Sequence, residues 1–174
     1  GFRVEKLVTP QDSEMGSWVS LAHVRDNRFV ASDQYGKIYR VVIPEIGSSE
    51  LTKIEPLEVE VGKAQGLLWA YQSLYVMVND RNTENSRLYR ISDANEDGKL
   101  DQVDFLYQMD GWGEHGPHGV TKGPDGQIYL IAGNHTKLPE KFTSVAPPIW
   151  DEDRLFESIK DPNGHARKIK APGG

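Results

Sequence analysis

The chain is predicted to be all-β on three features of its sequence. Short runs rich in Val, Ile, Leu, Tyr and Phe recur along it. Most are bounded by Gly, Pro, Asn or Asp, the residues that turns demand. Similar runs also return at a spacing of roughly 50 residues, the size of one four-stranded unit in a repeat architecture. The 174 residues suffice for one domain with its own core, and seventeen Gly and ten Pro suit a fold with many turns.

The first repeat reads as a meander. Residues 18–24 form a strand, Arg25-Asp26-Asn27 a turn, residues 28–33 a second strand, Gln34-Tyr35-Gly36 a turn and residues 37–43 a third strand. The pattern returns as strands over 66–70, 73–80 and 87–91, then as 119–121 followed by 127–132. The middle strands align as Arg28-Phe29-Val30-Ala31, Leu74-Tyr75-Val76-Met77 and Ile128-Tyr129-Leu130-Ile131. The strands after them align as Ile38-Tyr39-Arg40-Val41 and Leu88-Tyr89-Arg90-Ile91.

The repeats near 18–43, 66–91 and 118–132 therefore predict about three four-stranded blades of a β-propeller. A β-sandwich is the alternative that short, evenly spaced strands also permit. Closed propellers have about four to eight blades. The expectation is thus a partial propeller domain over 1–174, a segment of a longer one, with an irregular tail over 137–174. The other reading is a complete small β-protein with a loose tail.

Charge and composition exclude several classes. A net charge of −6 with no Lys/Arg block argues against nucleic acid, which requires a basic face to neutralise phosphates. No apolar run is long enough to span a bilayer, and no signal-peptide pattern opens the chain, as expected of a mature form. Without cysteine there is no disulfide framework, thiolate metal site or Cys nucleophile.

The sharpest motif runs from Asp93 to Asp104. Asp93, Asn95 and Asp97 occupy loop positions one, three and five, and Gly98 occupies six. Lys99 would offer its backbone carbonyl, and Asp101 and Asp104 stand at nine and twelve. Alternating oxygen donors around a Gly turn are the arrangement that wraps a Ca2+ ion. Asp104 is shorter than the usual Glu at twelve, which weakens bidentate closure. The flanking runs 88–91 and 103–106 read as strands, so the expected unit is a calcium-stapled β-hairpin loop and not an EF-hand. A solvated acidic turn without metal is the alternative, since Asp, Asn and Gly favour turns in any case.

Three of the five histidines fall within residues 114–136. Pro124-Asp125-Gly126 separates two β-rich runs and predicts a hairpin. His115 and His118 then precede its first strand, while Asn134 and His135 follow its second, so both groups meet at the end opposite the turn. His115 and His118 admit three roles: metal ligands, a general base for a hydroxyl or hydrated aldehyde, or a capping and a solvated residue. Trp18, Trp69 and Trp112 suit packing between blades. Trp112, between Gly111 and Gly113, also suits stacking on a sugar or cofactor. Asp33-Gln34-Tyr35 and Asp80-Arg81-Asn82 lie at corresponding strand ends and are expected to line one surface.

The succession Leu88-Tyr89-Arg90, the acidic loop 93–104, Gly113-Glu114-His115-Gly116-Pro117-His118-Gly119, Gly123-Pro124-Asp125-Gly126 and Gly133-Asn134-His135-Thr136 resembles the sorbosone-dehydrogenase-like branch of the soluble glucose dehydrogenase superfamily. The similarity runs from about Trp18 to the end, including residues 161–166, and is most specific over 88–136. The resemblance implies a six-bladed propeller of the kind found in bacterial membrane-bound dehydrogenases, often joined to a haem c domain. It implies oxidation of a sugar, alcohol or aldehyde with pyrroloquinoline quinone (PQQ), and a periplasmic or extracellular location that also suits a calcium loop.

By the same resemblance His115, eight residues before the Gly-Pro-Asp-Gly turn, is the base that takes the substrate hydroxyl proton. Trp112, His118, Asn134 and His135 would line the site. Two departures stand out: the family's Arg four positions after that His is Gly119 here, and His118 is an addition. The quinone-holding Arg and Lys of the family come from later blades. The rival functions are a non-catalytic propeller that binds glycans or docks a cytochrome partner, and a metal site built from His115, His118 and His135.

Overall fold

The computed structural model describes residues 1–2, 4–10, 15–81 and 86–137. Asn82 and the predicted tail beyond Lys137, including the stretch 161–166, lie outside the described residues. Ten strands form antiparallel sheets, with no α-helix among the described residues. The first sheet is the meander β1 (Trp18–Arg25), β2 (Arg28–Asp33), β3 (Ile38–Val42) and β4 (Lys53–Pro56). The second repeats it as β5 (Ala64–Ala70), β6 (Ser73–Val78), β7 (Arg87–Ser92) and β8 (Gln102–Gln108). The third is the hairpin β9 (Pro117–Lys122) and β10 (Ile128–Ala132). The all-β class is thus found, in two four-stranded sheets and one two-stranded sheet.

The sheets stack in chain order. The first strand of each meets the first strand of the next: β1 packs on β5, and β5 on β9. Within the middle sheet, strand β6 is apolar from Leu74 to Val78. Leu74, Val76 and Val78 enter one core with Val30 and Ile38 of the first sheet, while Met77 on the opposite face packs with Leu88 and Val120. Alternation along a strand sends successive side chains to opposite faces, and here both faces are covered. The outer sheets differ. Val19 and Leu21 of β1 and Tyr129 and Ile131 of β10 are exposed, although Ala22 and Leu130 on the same strands face inward.

Glycines permit the closest approach. Gly66 in β5 lies against the β9 backbone, where a Cβ would collide with the His118 carbonyl oxygen. Ser20 Oγ of β1 accepts a hydrogen bond from the Leu67 amide at 3.1 Å, fixing β1 against β5. Strand β4 was not legible in the sequence: Lys53-Ile54-Glu55-Pro56 is polar, with Pro56 at the edge of the sheet. Its pairing with β3 makes the first meander four-stranded.

Candidate functional site

The loops before β9 and after β10 meet at one end of the hairpin, as the Pro124-Asp125-Gly126 turn at the other end requires. Gly126 has φ +81°, and the Gly126 amide donates to the Gly123 carbonyl at 3.1 Å. The strands pair from Ile128 with Lys122 through Ala132 with Pro117. Beyond them the Gly133 amide donates to the Gly116 carbonyl and the His135 amide to the His115 carbonyl, each at 2.9 Å. Lys137 N–H donates to the Asp110 carbonyl at 2.8 Å, and the Lys137 ammonium pairs with the Asp110 carboxylate.

This frame brings His115 and His135 together, their rings edge to face with centroids 4.8 Å apart. Both histidines and Asn134 are exposed. Trp112 is 47% exposed, and its backbone lies where a Cβ on Gly116 would clash. Asn79, at the end of β6, anchors the loop from the neighbouring sheet. Its amide nitrogen donates to the Gly113 carbonyl at 2.7 Å, and its oxygen accepts from the Gly113 amide at 2.9 Å.

His118 does not precede the first strand of the hairpin; it lies within β9. Strand pairing begins at Pro117, which pairs with Ala132 across a register shift. Alternation places His118 on the face of β9 that carries the buried Val120, apart from the His115–His135 stack. His118 Nδ1 lies 2.8 Å from the Gly116 carbonyl oxygen. A carbonyl only accepts, so in this contact Nδ1 carries the hydrogen and donates.

The acidic loop folds on its own side chains. Asp93 accepts from the amides of Asp97 and Gly98 at 3.0 and 2.8 Å, and Asp97 accepts from the Lys99 amide at 2.9 Å. Glu96 and Gly98 take positive φ, at 60° and 87°. Asp104 stands apart, on β8 directly across from Arg90 of β7. Arg90 donates to it through Nε and Nη2 at 3.1 and 2.6 Å, and Gln102 donates to its other oxygen at 3.1 Å. The bonds from Arg90, then that from Gln102, hold the Asp104 carboxyl below the usual carboxylate range.

The donors Asp93, Asn95, Asp97, Asp101 and the Lys99 carbonyl are all oxygens and suit a hard cation. Asp104, by contrast, is engaged across the strands by Arg90 on one carboxylate oxygen and by Gln102 on the other. Among the described residues no three His, Asp or Glu side chains are grouped to hold a metal ion, so neither His115, His118 and His135 nor the carboxylates of Asp93, Asp97, Asp101 and Asp104 are brought together as a ligand set.

PQQ is a different case, because its carboxylates require cations. Gly119 stands where the resemblance expects Arg, and Lys137 and Lys63 are engaged by Asp110 and Asp80. The described residues do not by themselves fit the quinone.

Asp33 and Asp80 serve the same end of the sheets. The buried Asp33 carboxylate accepts from the amides of Ser17 and Tyr35 at 3.1 and 3.0 Å, in a cradle that a Cβ on Gly16 or Gly36 would fill. Tyr35 and Asp80 do share one surface, a cleft of about 340 Å³ that Lys63 and Tyr89 also line. Sequence reasoning missed Asn79 as an anchor. Its only signal was its alignment with Asp33 in the preceding repeat.

Comparison with protein-family models and with curated proteins gives no match. Among the described residues no helix is long and apolar enough to cross a membrane.

Proposed function

We propose that the chain is a segment of a calcium-binding β-propeller of the dehydrogenase-like kind and contributes half of a site for a hydroxyl-bearing, carbohydrate-like small molecule. The observation that carries this reading is the exposed His115–His135 stack, held by backbone bonds beside the half-exposed Trp112. In this reading His115 takes a proton from a substrate hydroxyl. Asn134 and His135 orient the polyol, and Trp112 offers a face for a sugar ring. Any electron acceptor, a quinone or a haem c or cytochrome partner, would be held outside the described residues, in a periplasmic or extracellular setting.

The propeller reading is supported by the sequential stacking of first strands and by the exposed apolar outer faces of β1 and β10, which neighbouring blades would cover. Calcium is assigned to the loop 93–104. Asp93, Asn95, Asp97, Asp101 and the Lys99 carbonyl are its donors, with Asp104 as the closing ligand if it is released by Arg90. The ion would brace the β7–β8 connection that leads toward the histidine loop.

The test is a titration of the chain with aldose sugars and simple alcohols, followed by the imidazole NMR signals, with a dye-reduction assay in the presence of PQQ on the longer propeller that the proposal implies, since the described residues do not by themselves hold the quinone. Sugar-dependent shifts at His115 and His135, with dye reduction lost in His115→Asn while the sugar still binds, are expected. Binding without dye reduction would favour the second reading, a glycan-binding propeller, for which Trp112 is the supporting residue. No sugar-dependent shift at either histidine would remove both.

A further inference from the structure

A second cleft, of about 340 Å³, opens at the opposite end of the first two sheets. It is formed beside the β1–β2 turn and is faced by the acidic loop. Its floor is the solvent end of the first core, with Val24, Trp69 and Leu100 all packed against that core. Three arginines line it: Arg25, Arg28 and Arg40.

Strand register places these arginines together. Arg25 pairs directly with Arg28 across the turn. Arg28 pairs with Val42 and Arg40 with Val30, so Arg28 and Arg40 are diagonal neighbours on the face that carries the core residue Val30. Like charges opposite one another on a sheet repel. Among the described residues none of the three forms an ion pair. Arg40 makes only a long hydrogen bond, 3.5 Å, to the Gly98 carbonyl. Asp93 and Glu96 on the facing wall leave the cationic side in excess, in a chain whose net charge is −6.

The geometry points to a binding site for a small ring-shaped oxyanion, a carboxylate or phosphate on a flat body of sugar or aromatic size. Guanidinium forks match such an anion in a two-pronged fashion, and the Trp69 and Val24 side of the cleft accepts the ring. A cleft of this volume sits at the small end of the usual range for ligand pockets. The inference is independent of the histidine site, from which it lies at the other end of the strands.

The experiment is calorimetric titration of the chain with glucuronate, benzoate, inorganic phosphate and, as uncharged controls, glucose and benzyl alcohol. At least one ring carboxylate is expected to bind in the millimolar range or tighter, and about tenfold more tightly than its uncharged counterpart. Arg28→Gln and Arg25→Gln, both at exposed positions where folding is not at stake, are expected to weaken binding about tenfold each. Arg40→Lys retains charge but loses the fork and should fall between wild type and Arg28→Gln. The proposal is overturned if neither ring carboxylate binds at about 10 mM, if uncharged rings bind equally well, or if Arg28→Gln and Arg25→Gln bind as the wild type does. Phosphate binding as tightly as the ring carboxylates overturns the role given to the apolar wall.

Discussion

Asn79 is a single side chain on which the candidate site depends without belonging to it. It holds Gly113 through both amide atoms and so ties the histidine loop to the second sheet. Asn79→Ala leaves the Gly113 N–H and C=O without these partners. Loss of such bonds at a part-buried position costs about 1–3 kcal/mol. The expected outcome is a fall of that size in denaturant unfolding, with faster hydrogen exchange at Gly113. Unchanged exchange there would show that the loop is held by its other bonds, those of Gly116, Gly133 and His135. Asp33 occupies the aligned position in the first repeat, where it tethers Ser17 and Tyr35. In the third repeat the position is Gly133, too close to the His115 backbone for any side chain. The repeat was legible because all three strands preceding these residues share an apolar pattern. The tethers were not, because Asp, Asn and Gly at a strand end look like ordinary turn chemistry in a sequence.

At the scale of elements, the β7–β8 hairpin joins an ion pair to the acidic loop. Asp104 is held below the usual carboxylate range by Arg90 and Gln102, and Asp125, in the β9–β10 turn, by the Gln127 amide and the Tyr129 hydroxyl. A depressed folded-state carboxyl adds stability that is complete above the unfolded value, about 4, and is lost as pH falls through the lower folded value. Thermal scans taken down the acid range should therefore lose stability below about pH 4, and Asp104→Asn and Asp125→Asn should each flatten that loss. Equal pH slopes in the variants and the wild type would contradict the assignment. The same pair supplies a calcium test. Arg90→Gln frees Asp104, and if Asp104 closes the calcium loop the ion should bind severalfold more tightly by calorimetry. Unchanged affinity would leave Asp104 a strand residue and the donors at Asp93, Asn95, Asp97, Lys99 and Asp101. The loop itself was readable from its alternating oxygens. The Arg90–Asp104 pair was not, since it depends on a cross-strand register that a single strand does not reveal.

Across the three described sheets, the fold rests on close contact between successive first strands, and the β5–β9 contact also carries the frame of the histidine loop. The stacking of the sheets was foreseen only as far as the repeat spacing allowed. The exposed outer faces and the arginine cleft emerge only when the sheets are side by side. Gly66 tests this level of organisation. It pairs next to a register shift in β5, and a methyl group there would meet the His118 carbonyl, the Gly119 Cα and the Val120 amide of β9. These are backbone atoms of a paired strand and cannot rotate aside, so Gly66→Ala must separate β5 from β9 or distort one of them. Forced overpacking of this kind costs about 1–3 kcal/mol. The loss should appear as a lower unfolding midpoint, with hydrogen exchange accelerated in β9 and β10 more than in β1 to β4. A variant as stable as the wild type, or one whose exchange rises evenly across all three sheets, would mean that β9 is not seated on β5 as described. If β9 alone is loosened, the His115–His135 stack should lose its sugar response while the arginine cleft keeps its anion, because the two sites stand on different pairs of sheets.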